Sequence, residues 1–318
     1  MLSKLKLNQL YFKDTQFVNL MTRRIFNVLL IANPYDAFML EDDGRVDEKI
    51  FNEYTSLSLR YPPRFSQVST EEEALMLLAN IPFDLVICMP GIGDNDAFSI
   101  GRHIKACYSH LPIVVLTPFS HGITKRIANE DLSAFDYIFC WLGNTDLLLS
   151  IIKLIEDKMN LEHDVAEVGV QLILLVEDGI RFYSSVLPNL YKFVLKQSQE
   201  FSTEALNAHQ RTLRMRGRPK IVLARTYEDS TEIYYRYKNN VLGVITDVRF
   251  PRQGKKDALA GIKLCDEIRR EDPFIPLIIQ SSEADNAAYA SKYGASFIDK
   301  NSKKMDVDLR QTVADNFG

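Results

Sequence analysis

The sequence has few cysteines: four in 318 residues, Cys88, Cys107, Cys140 and Cys265, all far apart and without a CxxC pair. That excludes a disulfide framework and a thiolate zinc site, and points to reduced thiols of a cytoplasmic protein. The five histidines form no HExxH or other ligand cluster, and none lies at metal-binding spacing from a cysteine. No Gly-rich phosphate loop of P-loop type is present, and SHG at 120–122 lacks the surroundings of a phosphorylatable histidine. No apolar run is long enough to span a membrane. The start, MLSKLKLNQLYFKDTQF, has no signal-peptide core and carries Asp14 early. Excess positive charge is absent too: 38 Lys and Arg against 42 Asp and Glu leave −4, which argues against a generic polyanion binder.

What is present is the composition of a globular protein, 46% hydrophobic and 25% charged. The length suffices for two ordinary domains, each with its own core. A repeat organises them. VLLIAN at 28–33 parallels ILLVED at 173–178, and DLVICM at 84–89 parallels VLGVITD at 241–247. IVVLTP at 113–118 parallels LIIQSS at 277–282, and YIFC at 137–140 parallels FIDK at 297–300. Between these runs, EEEALMLLANI and AGIKLCDEIRRED place apolar residues at helical spacing with charges opposite. Strands alternating with helices predict an α/β protein of two doubly wound parallel-sheet domains in tandem. The expected division is an N-terminal helical segment at 1–24, a first domain at 25–160, a linker at 161–170 and a second domain at 171–318.

In the second half, VLGVIT at 241–246 reads as a strand buried on both faces, followed by Asp247 and then by a loop punctuated by Pro251 and Gly254. Carboxyl ends of strands in open α/β sheets are where ligands bind. Collected there are Glu177 and Asp178, Asp247, Ser281 and Ser282, and Lys300. Each alone has an ordinary use: Asp247 in a loop cap, Ser281 as a cap for EADNAAYA, Lys300 as solvated surface. Together, three carboxylates call for a cation among them, and Mg²⁺ satisfies oxygen ligands while leaving room for a phosphoryl oxygen. The chemistry that fits is a carboxylate nucleophile attacking phosphorus, with an ammonium and a metal facing the charge.

These residues make the second half similar to a response-regulator receiver domain, a flavodoxin-like fold. The resemblance implies that Glu177 and Asp178 hold Mg²⁺ and that Asp247 is the phosphoacceptor, with the Arg249 backbone carbonyl a further metal ligand. It implies a switch hydroxyl at Ser281, a conserved-type lysine at Lys300 and an aromatic switch at Phe297. A histidine kinase or phosphotransfer protein is the implied donor. The first half resembles the same fold without the chemistry, a pseudo-receiver: Ala32 and Asn33 stand for the acidic pair, Met89 for the nucleophile and Cys140 for the lysine, and only Thr117 survives. Cys140 has no neighbouring cation to lower its pKa and reads as an inert buried thiol.

Over nearly the whole chain, FKDTQFVNLMTRR, ANPYDAFMLEDDGR, RYPPRFSQVSTEEEAL, LVEDGIRFYSSVLPNLYKF and SFIDKNSKK resemble the N-terminal regulatory region of some bacterial phosphoenolpyruvate-synthase-like dikinases. That implies a fragment whose output goes to C-terminal dikinase domains, to the pseudo-receiver or to a second copy in a homodimer. The second half departs from a simple receiver in a helical arm at 179–215, made of an apolar stripe, interrupted by Pro188 and expected to face a partner, and of a second, basic helix carrying His209. RGRP at 216–219 matches the core of a minor-groove AT-hook, the sole basis for a DNA-binding reading, but Pro219 leads directly into a strand and a turn between helix and strand is the better reading. A second alternative is a metal-dependent phosphatase with Asp247 as nucleophile, which would want a second acid where Arg249 stands.

Overall fold

Most strands of the repeat are short apolar runs buried along nearly their whole length, too uniform for a one-faced surface, whereas Ser296–Asp299 is only partly buried. The computed structural model describes residues 17–41, 45–90, 97–118, 127, 130–201 and 213–317. Most of the expected N-terminal helix, the SHG motif, His209 and most of the basic helix lie outside the described residues. The chain divides into two units, one of 23–155 and one of 156–318 joined by residues up to Thr22. The division falls inside a single helix, Asp146–Val168, so residues 161–168 of the expected linker are helical.

In the first unit, β1 (Asn27–Ile31), β2 (Arg64–Val68), β3 (Leu85–Cys88), β4 (Ile113–Pro118) and β5 (Tyr137–Trp141) form one sheet of order β2-β1-β3-β4-β5. All its pairings are parallel. Helix Glu71–Asn80 starts on an N-cap: Thr70 Oγ1 accepts from the Glu73 amide at 3.2 Å, and Glu73 Oε2 reaches back to accept from the Ser69 amide at 3.0 Å.

The second unit repeats the topology. Here β6 (Leu172–Val176), β7 (Lys220–Ala224), β8 (Val241–Asp247), β11 (Leu277–Ser281) and β12 (Ser296–Asp299) lie in the order β12-β11-β8-β6-β7, again parallel throughout. Counted from each unit's own first strand, both orders are second, first, third, fourth, fifth. Both units are therefore doubly wound α/β sheets. The core holds Leu174, Val176, Val244, Leu277 and Ile279 from the sheet with Leu264, Cys265 and Ile268 from helix Ala260–Glu271.

Residues 250–257 are not the plain loop that Pro251 suggested. They form an antiparallel ribbon, β9 (Phe250–Arg252) and β10 (Lys255–Asp257), whose two-residue turn has Gln253 at φ 52° and Gly254 at φ 72°. Two successive positive φ values match the twist of a tight hairpin, and a ribbon outside the main sheet tolerates proline.

Two expectations about the arm are corrected. Pro188 does not interrupt it: Ile180–Phe201 is one helix with the proline inside. Its stripe is covered rather than offered to a partner, since Tyr183, Val186, Leu187, Leu190, Tyr191, Val194 and Leu195 are buried and the helix packs on helix Met305–Phe317. Burial of that many apolar side chains outweighs the one hydrogen bond a mid-helix proline removes.

Candidate functional site

The carboxyl edge of the second sheet is level because of its register. Val176 lies beside Thr246, Asp247 beside Gln280 and Ser281 beside Asp299. Glu177 and Asp178, which follow β6, therefore emerge next to Asp247 at the end of β8, with Ser281 ending β11 and Lys300 following β12. All of them, with Arg249, line one cavity of about 160 Å³.

Lys300 reaches across it. Its Nζ lies 2.5 Å from Glu177 Oε2 and 2.7 Å from Asp247 Oδ1, so one ammonium links the ends of two neighbouring strands. The Lys300 amide donates to the Ser281 carbonyl at 2.8 Å, which fixes the backbone, and the ammonium sits 4.4 Å from the centre of the Phe182 ring, a cation–π contact. Glu177 Oε1 accepts from the Gly179 amide at 2.9 Å. Burial pushes the Glu177 carboxyl up to about 7; the Lys300 ammonium opposes that rise and the charge of Asp247 adds to it.

Carboxylate oxygens of Glu177, Asp178 and Asp247 lie within 4.8 Å of one another, the one such group among the described residues. Three hard oxygen donors, one of them held against ionisation by burial, form a donor set that fits a divalent cation of the Mg²⁺ kind. The Arg249 amide donates to Asp247 Oδ2 at 3.4 Å, while its guanidinium turns to Glu283 Oε1 at 2.8 Å. Ser281 Oγ accepts from the Glu283 amide at 3.1 Å and from Asn286 Nδ2 at 2.8 Å. With both acceptor positions used, its single O–H is the hydrogen-bonding function that remains. Phe297 lies in β12, partly buried against the core.

Four features were not found by reading the sequence. Lys256 of β10 donates to both Asp178 oxygens, at 2.8 and 3.2 Å. Asn286 anchors Ser281, and Phe182 shelters Lys300. Gly261 is the fourth: a Cβ there would come within 1.9 Å of the Asp247 carbonyl oxygen, so only glycine lets helix Ala260–Glu271 start so close to the strand end. The one local signal was Gly254 in VRFPRQGKKD, a residue free to take one of the two positive φ values the turn uses.

The first unit has nothing comparable among the described residues. Ala32 and Met89 are buried at the ends of β1 and β3. Asn33 caps its helix, accepting from the Asp36 amide at 2.8 Å and donating to Asp36 Oδ2 at 2.9 Å. The Thr117 hydroxyl donates to the Pro118 carbonyl at 2.9 Å, and Cys140 is buried with its thiol towards the Trp141 carbonyl.

RGRP forms the turn between a helix and β7, as the better sequence reading expected, and not a minor-groove hook. Arg218 is buried, and its Nη2 lies 2.7 Å from Oδ1 of Asp157, itself fully buried. Arg216 donates to the Val18 carbonyl at 2.7 Å, and Gly217 lies against Phe17. The minor-groove reading required a free, flexible Arg-Gly-Arg; here Arg218 is buried and Arg216 is bonded to the Val18 carbonyl.

No protein-family model matches the sequence, and no curated protein matches it. Among solved structures the chain is similar to a response regulator receiver domain protein from Clostridium thermocellum, at 21% identity over 46% of this chain and 94% of that one, with a TM-score of 0.31. It is similar to the signal receiver domain of a signal-transduction histidine kinase from Syntrophus aciditrophicus, at 18% identity over 42% and 91%, with a TM-score of 0.32. A third is the receiver domain of a response regulator from Geobacillus stearothermophilus, at 13% identity over 44% and 98%, with a TM-score of 0.33. The architecture rests on the strand order above, and the chemistry on the side chains. No helix of the described residues is long and apolar enough to cross a membrane.

Proposed function

We propose that the second unit is a receiver-type phosphoacceptor of a two-component system, and that Asp247 accepts a phosphoryl group from a histidine kinase or phosphotransfer protein. The observation that carries this is the Lys300 ammonium held between Glu177 and Asp247, beside Asp178, in one small cavity at the sheet's carboxyl edge. An Asp247 carboxylate oxygen bonds to phosphorus as the phosphorus–nitrogen bond of a phosphohistidine, protonated on its other ring nitrogen, breaks; the imidazole leaves neutral, keeping that proton, and a mixed anhydride remains. Lys300 then faces the added charge, and the Ser281 O–H donates to a phosphoryl oxygen. Glu177, Asp178, Asp247 and the Arg249 carbonyl would hold Mg²⁺, which when bound supplies positive charge to the phosphoryl oxygens.

In this reading Ser281, drawn to the phosphoryl group, and Phe297 on the outer strand form the switch. The first unit is a pseudo-receiver, without carboxylates for a metal or a nucleophile at Met89. The tandem, read with the dikinase-like sequence segments, regulates attached dikinase domains, the pseudo-receiver or a second copy. A phosphatase is disfavoured because Arg249 stands where a second acid is wanted and its side chain is engaged by Glu283.

Acetyl phosphate with Mg²⁺ is the simplest donor. Intact mass should rise by one phosphoryl group in the wild-type chain and stay unchanged in Asp247→Asn. A stable adduct on Asp247→Asn, or one mapped to residues 23–155, overturns the assignment.

A further inference from the structure

The ribbon β9–β10 follows the strand of Asp247 directly and is held at several points. Phe250 is fully buried. The Gln253 amide donates to Glu228 Oε1 at 2.9 Å, and Arg252 stacks over the Tyr227 ring at 4.8 Å. Asp257 receives Lys263 at 2.6 Å and the Leu259 amide at 3.0 Å. A ribbon fixed in this way aims the next side chain, Lys256, at a defined place, the carboxylate of Asp178, where its ammonium contacts both oxygens.

We infer that Lys256 is a tethered competitor for the divalent cation at Asp178. This rests on the reading of Asp178 as a metal ligand. Lys300 does not play this part: its ammonium lies on Glu177 and Asp247, whereas Lys256 takes the Asp178 oxygens that a cation needs. A metal entering the cavity must displace the Lys256 ammonium from Asp178, so the lysine weakens metal binding and leaves Asp178 neutralised when no metal is there. The Lys256 side chain is 54% exposed, so its released ammonium is readily rehydrated, and the competition is moderate rather than prohibitive.

Calorimetric titration of the full chain with Mg²⁺ tests this, using Lys256→Gln, Lys256→Arg and Lys255→Gln. Neighbouring residues on a strand point to opposite sides, so Lys255→Gln removes an equal charge from the ribbon without touching Asp178. Lys256→Gln should bind Mg²⁺ roughly two- to fivefold more tightly than wild type, the range an exposed ion pair of this kind supports. Lys256→Arg and Lys255→Gln should stay near wild type. Unchanged or weaker binding in Lys256→Gln, or an equal gain in Lys255→Gln, overturns the inference. If Asp178→Asn abolishes binding while Lys256→Gln changes nothing, the metal site stands and the competitor alone falls. If Asp178→Asn binds like wild type, or wild type and Lys256→Gln both fail to bind, the metal site falls and the competitor with it.

Discussion

Arg218 and Asp157 form a buried two-pronged ion pair, Nη2 to Oδ1 at 2.7 Å and Nη1 to Oδ2 at 3.0 Å. The same carboxylate accepts from the Ile221 amide at 3.0 Å and from the Tyr191 hydroxyl at 2.9 Å. It thereby ties the start of β7 and helix Ile180–Phe201 to helix Asp146–Val168. Two turns further along that helix, Asp164 receives Lys220 Nζ at 2.8 Å and the Met21 amide at 3.2 Å. Every carboxylate oxygen is occupied by a donor, which is how charges persist in an interior.

Removing one partner of that pair leaves the other charged and buried. Arg218→Ala is therefore expected to cost about 3–5 kcal/mol in stability, read as a fall in the urea midpoint. A midpoint within error of wild type would mean that solvent reaches Asp157.

Gly261→Ala places a methyl group against the Asp247 carbonyl oxygen, a backbone atom that cannot swing aside. The helix must back away, at a cost of about 1–3 kcal/mol. Acetyl phosphate should then label Asp247 more slowly in protein that remains folded by circular dichroism. Unaltered stability together with unaltered labelling would show that the helix start has slack.

The raised pKa of Glu177 has a definite sign in stability. Without metal, the folded protein keeps this proton up to about pH 7, while the unfolded chain releases it near the ordinary glutamate value. Over that window the folded state binds more protons, so its stability falls as pH rises. Denaturant midpoints at pH 5.5 and pH 8 without Mg²⁺ measure this, and Glu177→Gln should flatten the difference. A slope unchanged in that variant would assign the proton to another group.

Cysteine chemistry separates surface from core. Burial pushes the thiols of Cys88 and Cys265 up to about 12, and Cys140 is buried as well, whereas Cys107 is exposed. Iodoacetamide at pH 8.5 should modify Cys107 alone in the folded protein and all four after unfolding. Rapid native labelling of Cys140 would contradict an inert thiol in the first unit.

The alternation of strand and helix in both halves is local chemistry and was legible in the sequence. Strands covered on both faces must be continuous apolar runs, and the helices between them must carry one apolar side. That Glu177, Asp178, Asp247, Ser281 and Lys300 share one sheet edge was legible too: each follows or ends a strand, and parallel strands bring their ends to one edge. What those side chains touch was decided only in three dimensions. Lys300 meets Glu177 across 123 positions of sequence, Lys256 meets Asp178 across 78, and Arg218 meets Asp157 across 61. No periodicity reports on pairs so distant. A sequence shows that RGRP is basic and that Pro188 disfavours a helix; only the packed interior determines that Arg218 has a buried carboxylate to meet, and that enough apolar surface is covered along Ile180–Phe201 to carry the helix through its proline.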